Sequence, residues 1–109
     1  HPEQMATAVL ETKRPKIMAA IATKGELNTP YTVKRGGYKK AHVGAWQVNE
    51  KIHGKAGNLP IDQALKAEDV LEGMLKESKG NMKAALNNYG GDSSKRYAQN
   101  ILAELTNIP

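Results

Sequence analysis

Apolar residues recur along much of this chain at helical intervals, and the places where the period breaks divide it into elements. Met5 and Val9 stand four apart with Ala6 and Leu10 beside them, which predicts a short helix from Glu3 to about Arg14 that Pro2 is suited to open. Pro15 clashes inside a continuous helix but is comfortable in a first turn, so a second helix starts there. It carries Ile17, Met18, Ala20 and Ile21 to Lys24, and Gly25 is its expected stop. Residues 28–43 have no helical period. Tyr31-Thr32-Val33 and Tyr38 to Val43 flank Lys34-Arg35-Gly36-Gly37, which predicts at most a small β-hairpin near residues 31–43. The segment Gly44-Ala45-Trp46-Gln47-Val48-Asn49 is then expected to open a short helix, and Lys51 to Leu59, with Gly54 and Gly57, to form a loop.

The longest unbroken period runs from Pro60 to Ser78. Ile61, Ala64, Leu65, Val70, Leu71, Met74 and Leu75 form its apolar stripe. Asp62 in the first turn and Lys76 and Lys79 near the end complement the helix dipole, while Glu68, Asp69, Glu72 and Glu77 read as a solvated face. Gly80 is expected to end this helix. Asn81 caps a shorter one containing Met82, Ala85 and Leu86, terminated by Gly90-Gly91. Ser93 or Ser94 caps a last helix to Asn107 that buries Tyr97 or Ala98, Ile101, Leu102 and Leu105. The expectation is one mainly α domain over residues 1–109.

Composition narrows the chemistry. The 109 residues include no cysteine, so disulfides and thiolate chemistry are absent and helix packing must carry stability. No apolar run approaches the roughly 18 residues of a membrane span, and no secretory signal is evident. A net charge of +5 points to an anionic partner, whether nucleic acid, lipid headgroup or a carboxylate-bearing cell wall. The densest basic cluster, Lys34, Arg35, Lys39 and Lys40, lies in the expected hairpin rather than along one helical face, which argues against a nucleic-acid partner. His42 and His53 are too few to suggest a metal site, and Ser78, Ser93 and Ser94 are explained by helix ends, so neither a metal nor another cofactor is expected.

Trp46 is the only tryptophan, and Gln47 stands beside it. An indole ring stacks on a pyranose face, and an amide offers a donor and an acceptor to hydroxyl and acetamido groups; a core Trp beside a surface Gln accounts for the same pair. The segment from Gly44 to Val48 resembles the Gly-Leu-Met-Gln-Val segment of the soluble lytic transglycosylase family, lysozyme-like enzymes that cleave peptidoglycan. The likeness covers about residues 16–105. An acidic residue at the end of a helix is matched by Glu26, the glycine-to-glutamine segment by Gly44 to Val48, and the long helix by the one after Pro60. The Tyr-Asn-x-Gly turn is matched by Asn88-Tyr89-Gly90-Gly91, and the tyrosine of the last helix by Tyr97.

The resemblance implies a lysozyme-like helical domain acting on peptidoglycan glycan strands in the periplasm or at the cell wall. Glu26 would be the single general acid and base, forming a 1,6-anhydro product. Trp46, Gln47, Asn88, Tyr89 and Tyr97 would contact the saccharide. Leu27 and the Trp46 ring would supply the apolar wall that raises a carboxyl's pKa, as a proton donor requires. A hydrolytic outcome would need a second carboxylate roughly 5–9.5 Å away, for which Asp92 or Glu50 is the candidate. Several positions depart from the family pattern. Trp46 replaces its methionine, Asn88-Tyr89 inverts its Tyr-Asn order, and residues 31–43 contain no serine. A second register places Lys24 or Gly25 where the acid should be. The alternatives are therefore a wall-saccharide-binding module without turnover, or a basic helical nucleic-acid binder.

Overall fold

The computed structural model describes residues 2–24, 42–43, 45–57, 59–90 and 96–107. Helix accounts for 76% of them, and the fold is mainly α as expected. In chain order the elements are α1 (Pro2–Leu10), α2 (Pro15–Lys24), β1 (His42–Val43), β2 (Val48–Asn49), α3 (Glu50–His53), α4 (Pro60–Glu77), α5 (Met82–Gly90) and α6 (Arg96–Glu104), followed by a 3-10 turn (Leu105–Asn107). No helix among the described residues is long and apolar enough to cross a membrane.

Five helices close a ring. α1 packs on α4, α4 on α5, α5 on α6, α6 on α2, and α2 returns to α1. Small residues make the contacts close: Ala8, Ala64, Ala67, Ala85 and Ala98 are each fully buried, with Leu71, Leu86 and Ile101 filling the larger gaps. Pro60 at its start and Asp62 in its first turn give α4 the termini that its periodicity predicts. α5 is capped as expected, the Ala84 N–H donating to Asn81 Oδ1 at 3.1 Å. The serine caps expected for α6 lie outside the described residues. A cap from elsewhere serves that helix, since Ala98 N–H donates to Asn87 Oδ1 across the α5–α6 contact at 2.9 Å.

Two boundaries differ from expectation, the first for a tertiary reason and the second for a local one. α1 stops at Leu10 rather than near Arg14. The Thr12 hydroxyl takes the Val9 carbonyl, while the N–H groups of Lys13 and Arg14 donate to the two oxygens of Glu68 at 2.8 and 2.9 Å. Glu68 is thereby 6% exposed and leaves the expected solvated face, on which Asp69 and Glu77 stay exposed and Glu72, paired with Arg14, is half-exposed. At the end of α4 the left-handed residue is Lys79 (φ 55), one place before Gly80 (φ 85). Gly80 N–H donates to the Leu75 carbonyl at 2.9 Å and Lys79 N–H to that of Lys76 at 3.1 Å, so the six-residue cap has a lysine at its most strained place.

The expected hairpin lies almost wholly outside the described residues. Its end, His42–Val43, pairs forward instead: His42 opposes Asn49 and Val43 opposes Val48 in a two-residue antiparallel ladder. Trp46 and Gln47 therefore sit in the turn of that ladder, and the short helix begins only at Glu50. The loop that follows is pinned at both ends. Ala56 N–H donates to Glu50 Oε2 at 2.9 Å, and Gln63 Nε2 donates to the Gly57 carbonyl at 3.1 Å. Gly57, at φ 101, leaves no room for a side chain, since a Cβ there would come within 2.8 Å of Asp62 Cβ.

Candidate functional site

The turn Ala45-Trp46-Gln47 is inserted between helices on opposite arms of the ring. The Trp46 ring is 1% exposed, and its indole N–H donates to the Met18 carbonyl of α2 at 2.9 Å. From the other side the Tyr89 hydroxyl, on α5, donates to the Trp46 carbonyl at 2.6 Å. One residue thus ties α2 to α5, with its side chain serving one helix and its backbone the other. A buried indole N–H and a buried carbonyl each need a partner, and both have one.

The Trp46 ring is a core side chain rather than the wall of a cleft. With neither face open it is no stacking platform, which corrects its expected contact with a sugar. The physical reason is that Met18 supplies the acceptor an indole N–H requires, and the alanine-lined helices leave a space of matching size. Gln47 is left as the half-exposed side chain of the turn, at φ 51 between the buried Trp46 and Val48. A left-handed backbone at glutamine costs on the order of 1 kcal/mol and persists only where neighbours over-determine it.

Tyr89 and Tyr97 meet with ring centroids 6.4 Å apart at a 33° tilt. Gly90 makes this possible, because a Cβ at position 90 would fall 2.2 Å from Tyr97 Cγ. Tyr89 is half-buried as a residue, and its hydroxyl is enclosed. Burial pushes that hydroxyl well above the ordinary tyrosine value, and the neighbouring Tyr97 adds to the shift. Burial likewise pushes Tyr97 up to about 12. Both phenols are hence protonated donors throughout the neutral range.

Four of the residues singled out in the sequence, Trp46, Gln47, Tyr89 and Tyr97, therefore form one connected group. Asn88 does not join it. It is exposed on α5, and neighbouring positions of a helix point about 100° apart, so Asn88 and Tyr89 face different ways. Glu26, Leu27 and Asp92 lie outside the described residues. Glu50, the other candidate for a second carboxylate, accepts the Ala56 N–H through Oε2 at 2.9 Å. Glu68 and Asn87 escaped the sequence reading, since a carboxylate or amide that caps a distant helix looks like any surface residue until the helices are packed.

Two clefts open elsewhere among the described residues. One, of about 400 Å³, is lined by Gln4, Thr7, Ala8, Leu59, Pro60 and Ile61. The other, of about 390 Å³, is lined by His53, Lys66, Asp69, Val70, Gly73, Met74 and Glu77. Neither includes the tyrosine–tryptophan group. No cluster of three or more His, Asp or Glu side chains able to hold a metal ion is present among the described residues. Comparison with protein-family models, with curated proteins and with solved structures found no match to this chain.

Proposed function

We propose that the chain is a peptidoglycan-cleaving lytic transglycosylase domain acting between N-acetylmuramic acid and N-acetylglucosamine. The observation that carries this reading is the convergence of Trp46-Gln47 with Tyr89 and Tyr97. Tyr89 meets Trp46 across 43 positions of chain, and all four residues stand where the chain resembles that family. The strained backbone at Gln47 adds to it, because a polar side chain held in a left-handed turn beside a rigid core is what a preorganised ligand contact requires.

In this mechanism Glu26 protonates the glycosidic oxygen as the C1–O bond breaks. Its carboxylate then takes the proton of the muramoyl C6 hydroxyl while that oxygen bonds to C1, which leaves a 1,6-anhydro end and restores the acid. Gln47 orients the sugar through its amide, and the two tyrosines hold the wall behind it. The enzyme would work on glycan strands at the cell wall or in the periplasm, where a net charge of +5 favours an anionic polymer.

Digestion of purified peptidoglycan followed by mass analysis of the fragments tests the proposal. Anhydro-muramoyl ends that disappear with Glu26→Gln are the expected result. Free reducing ends would assign a hydrolase. Binding of glycan strands without any cleavage would assign the wall-binding module. Digestion undiminished by Glu26→Gln would refute Glu26 as the acid, and nucleic-acid affinity falling steeply with salt in a chain that ignores peptidoglycan would refute the reading altogether.

A further inference from the structure

The Tyr89 hydroxyl is usually the polar tip by which such a residue would meet a ligand, yet here it is spent on the backbone. It donates at 2.6 Å to the Trp46 carbonyl, the oxygen of the peptide unit that leads into Gln47. That peptide's orientation is one of the two rotations that define the Gln47 backbone, whose φ is 51. A left-handed glutamine would relax toward an ordinary conformation if the carbonyl before it were free to swing. The ring carrying the hydroxyl is backed by Tyr97, and Tyr97 fits only because position 90 has no side chain. The indole N–H bond to Met18 fixes the same residue from the far side. Carbonyl, ring and backing ring thus form a chain of contacts from α6 to the turn, ending at Gln47, a half-buried residue.

We propose that Tyr89 is a positioning residue: its hydroxyl, backed by the Tyr97 ring in the space left at Gly90, locks the Trp46 carbonyl and so aims the Gln47 amide at the saccharide. The assignment of the amide's target rests on the transglycosylase reading; the lock itself does not. It gives Tyr89 a role that acts through Gln47 rather than by touching substrate. The residue order Asn88-Tyr89-Gly90 then has a use of its own, since it places the phenol and the missing side chain on successive residues of α5.

A double-mutant cycle of Tyr89→Phe and Gln47→Ala, read as kcat/KM on peptidoglycan, tests it. Each single substitution is expected to lower kcat/KM about tenfold, the loss of one well-made hydrogen bond, with the Tyr89→Phe loss falling mainly on KM. Because one acts through the other, the double variant should match Gln47→Ala alone. A loss of about a hundredfold in the double variant, or an unchanged Tyr89→Phe, overturns the proposal while leaving the activity intact. If the parent chain does not cleave peptidoglycan, the function fails and the lock is read directly by amide hydrogen exchange. Tyr89→Phe should then speed exchange at Gln47 and Val48 about tenfold and leave Leu71 in α4 unchanged, and equal rates at Gln47 and Val48 overturn it. Should Tyr89→Phe not fold, Tyr97→Leu removes the backing ring while leaving the hydrogen bond's own atoms in place. It is expected to be non-additive with Gln47→Ala in the same way, and additive losses overturn the proposal.

Discussion

Replacing Glu68 with alanine should destabilise the fold more than any other surface-pattern carboxylate. The side chain accepts the N–H groups of Lys13 and Arg14 at 2.8 and 2.9 Å while only 6% exposed. Those two donors immediately precede Pro15, so they belong to the start of α2, which has no helical partners for them. Hydrogen bonds to an ionised group contribute about 1.5–3 kcal/mol each, whereas losing a helix cap typically costs about 1 kcal/mol. Burying the carboxylate offsets part of the first figure. What decides the balance is that two such bonds are lost together, the N–H groups being only partly buried, and at the lower figure for each they sum to about 3 kcal/mol. We therefore expect about 3 kcal/mol for Glu68→Ala. For Glu68→Gln, which keeps one acceptor oxygen but turns an amide N–H toward the other donor, we expect about 2 kcal/mol.

For a domain of this size about 3 kcal/mol corresponds to a fall in Tm of roughly 15 °C. Thermal unfolding by circular dichroism measures it. The Trp46 emission should move in step at temperatures below the transition, because α2 presents the Met18 carbonyl that holds the only indole. A Glu68→Ala variant within about 0.5 kcal/mol of the parent would refute the reasoning, as that is the range of a solvated helix carboxylate.

Other substitutions probe single features. Lys79→Gly relieves the left-handed residue after α4 and should stabilise by about 0.5–1 kcal/mol in urea unfolding; no gain would mean that the lysine bears no strain there. Gly90→Ala should cost about 1–3 kcal/mol, since a Cβ would sit 2.2 Å from Tyr97 Cγ and force the ring out, and an unchanged Tm would refute that seating. The tyrosines make the fold sensitive to alkali: Tyr97 holds its proton to about 12 when folded but ordinarily loses it near 10, so the unfolded chain sheds protons first and stability falls over that window. The share lost through Tyr97 is about 2–3 kcal/mol, and Tyr97→Phe should flatten the decline in denaturation midpoint between pH 10 and 12. Glu72 behaves oppositely. The Arg14 guanidinium bonded to it holds its carboxyl below the ordinary 4.5, so its contribution is present above that pH and lost as pH falls further; Glu72→Gln should remove this acid sensitivity, and added salt should weaken it.

How far the sequence could be read depends on the distance over which each feature is decided. α4 was legible because eighteen residues repeat one period and close with termini chemistry of their own. Asn81 was legible as a cap because its partner is three residues away. The end of α1 was not, since it is decided by Glu68, 54 and 55 positions further on, and a carboxylate on an amphipathic helix gives no local sign of facing a second helix. The site divides the same way. That Trp46-Gln47 would matter was visible from an indole beside an amide, but which way the indole points depends on Met18, 28 positions before it. The backbone at Gln47 was hidden for a further reason: glutamine has no preference for the left-handed region, so only the carbonyl held by Tyr89 reveals it. Features decided within one turn of chain are written in the local pattern. Those that would aim a side chain at a ligand are fixed by single hydrogen bonds from distant helices, so Tyr89→Phe should disturb the turn by removing its one bond there, and substitutions beside Met18 should disturb it without touching it.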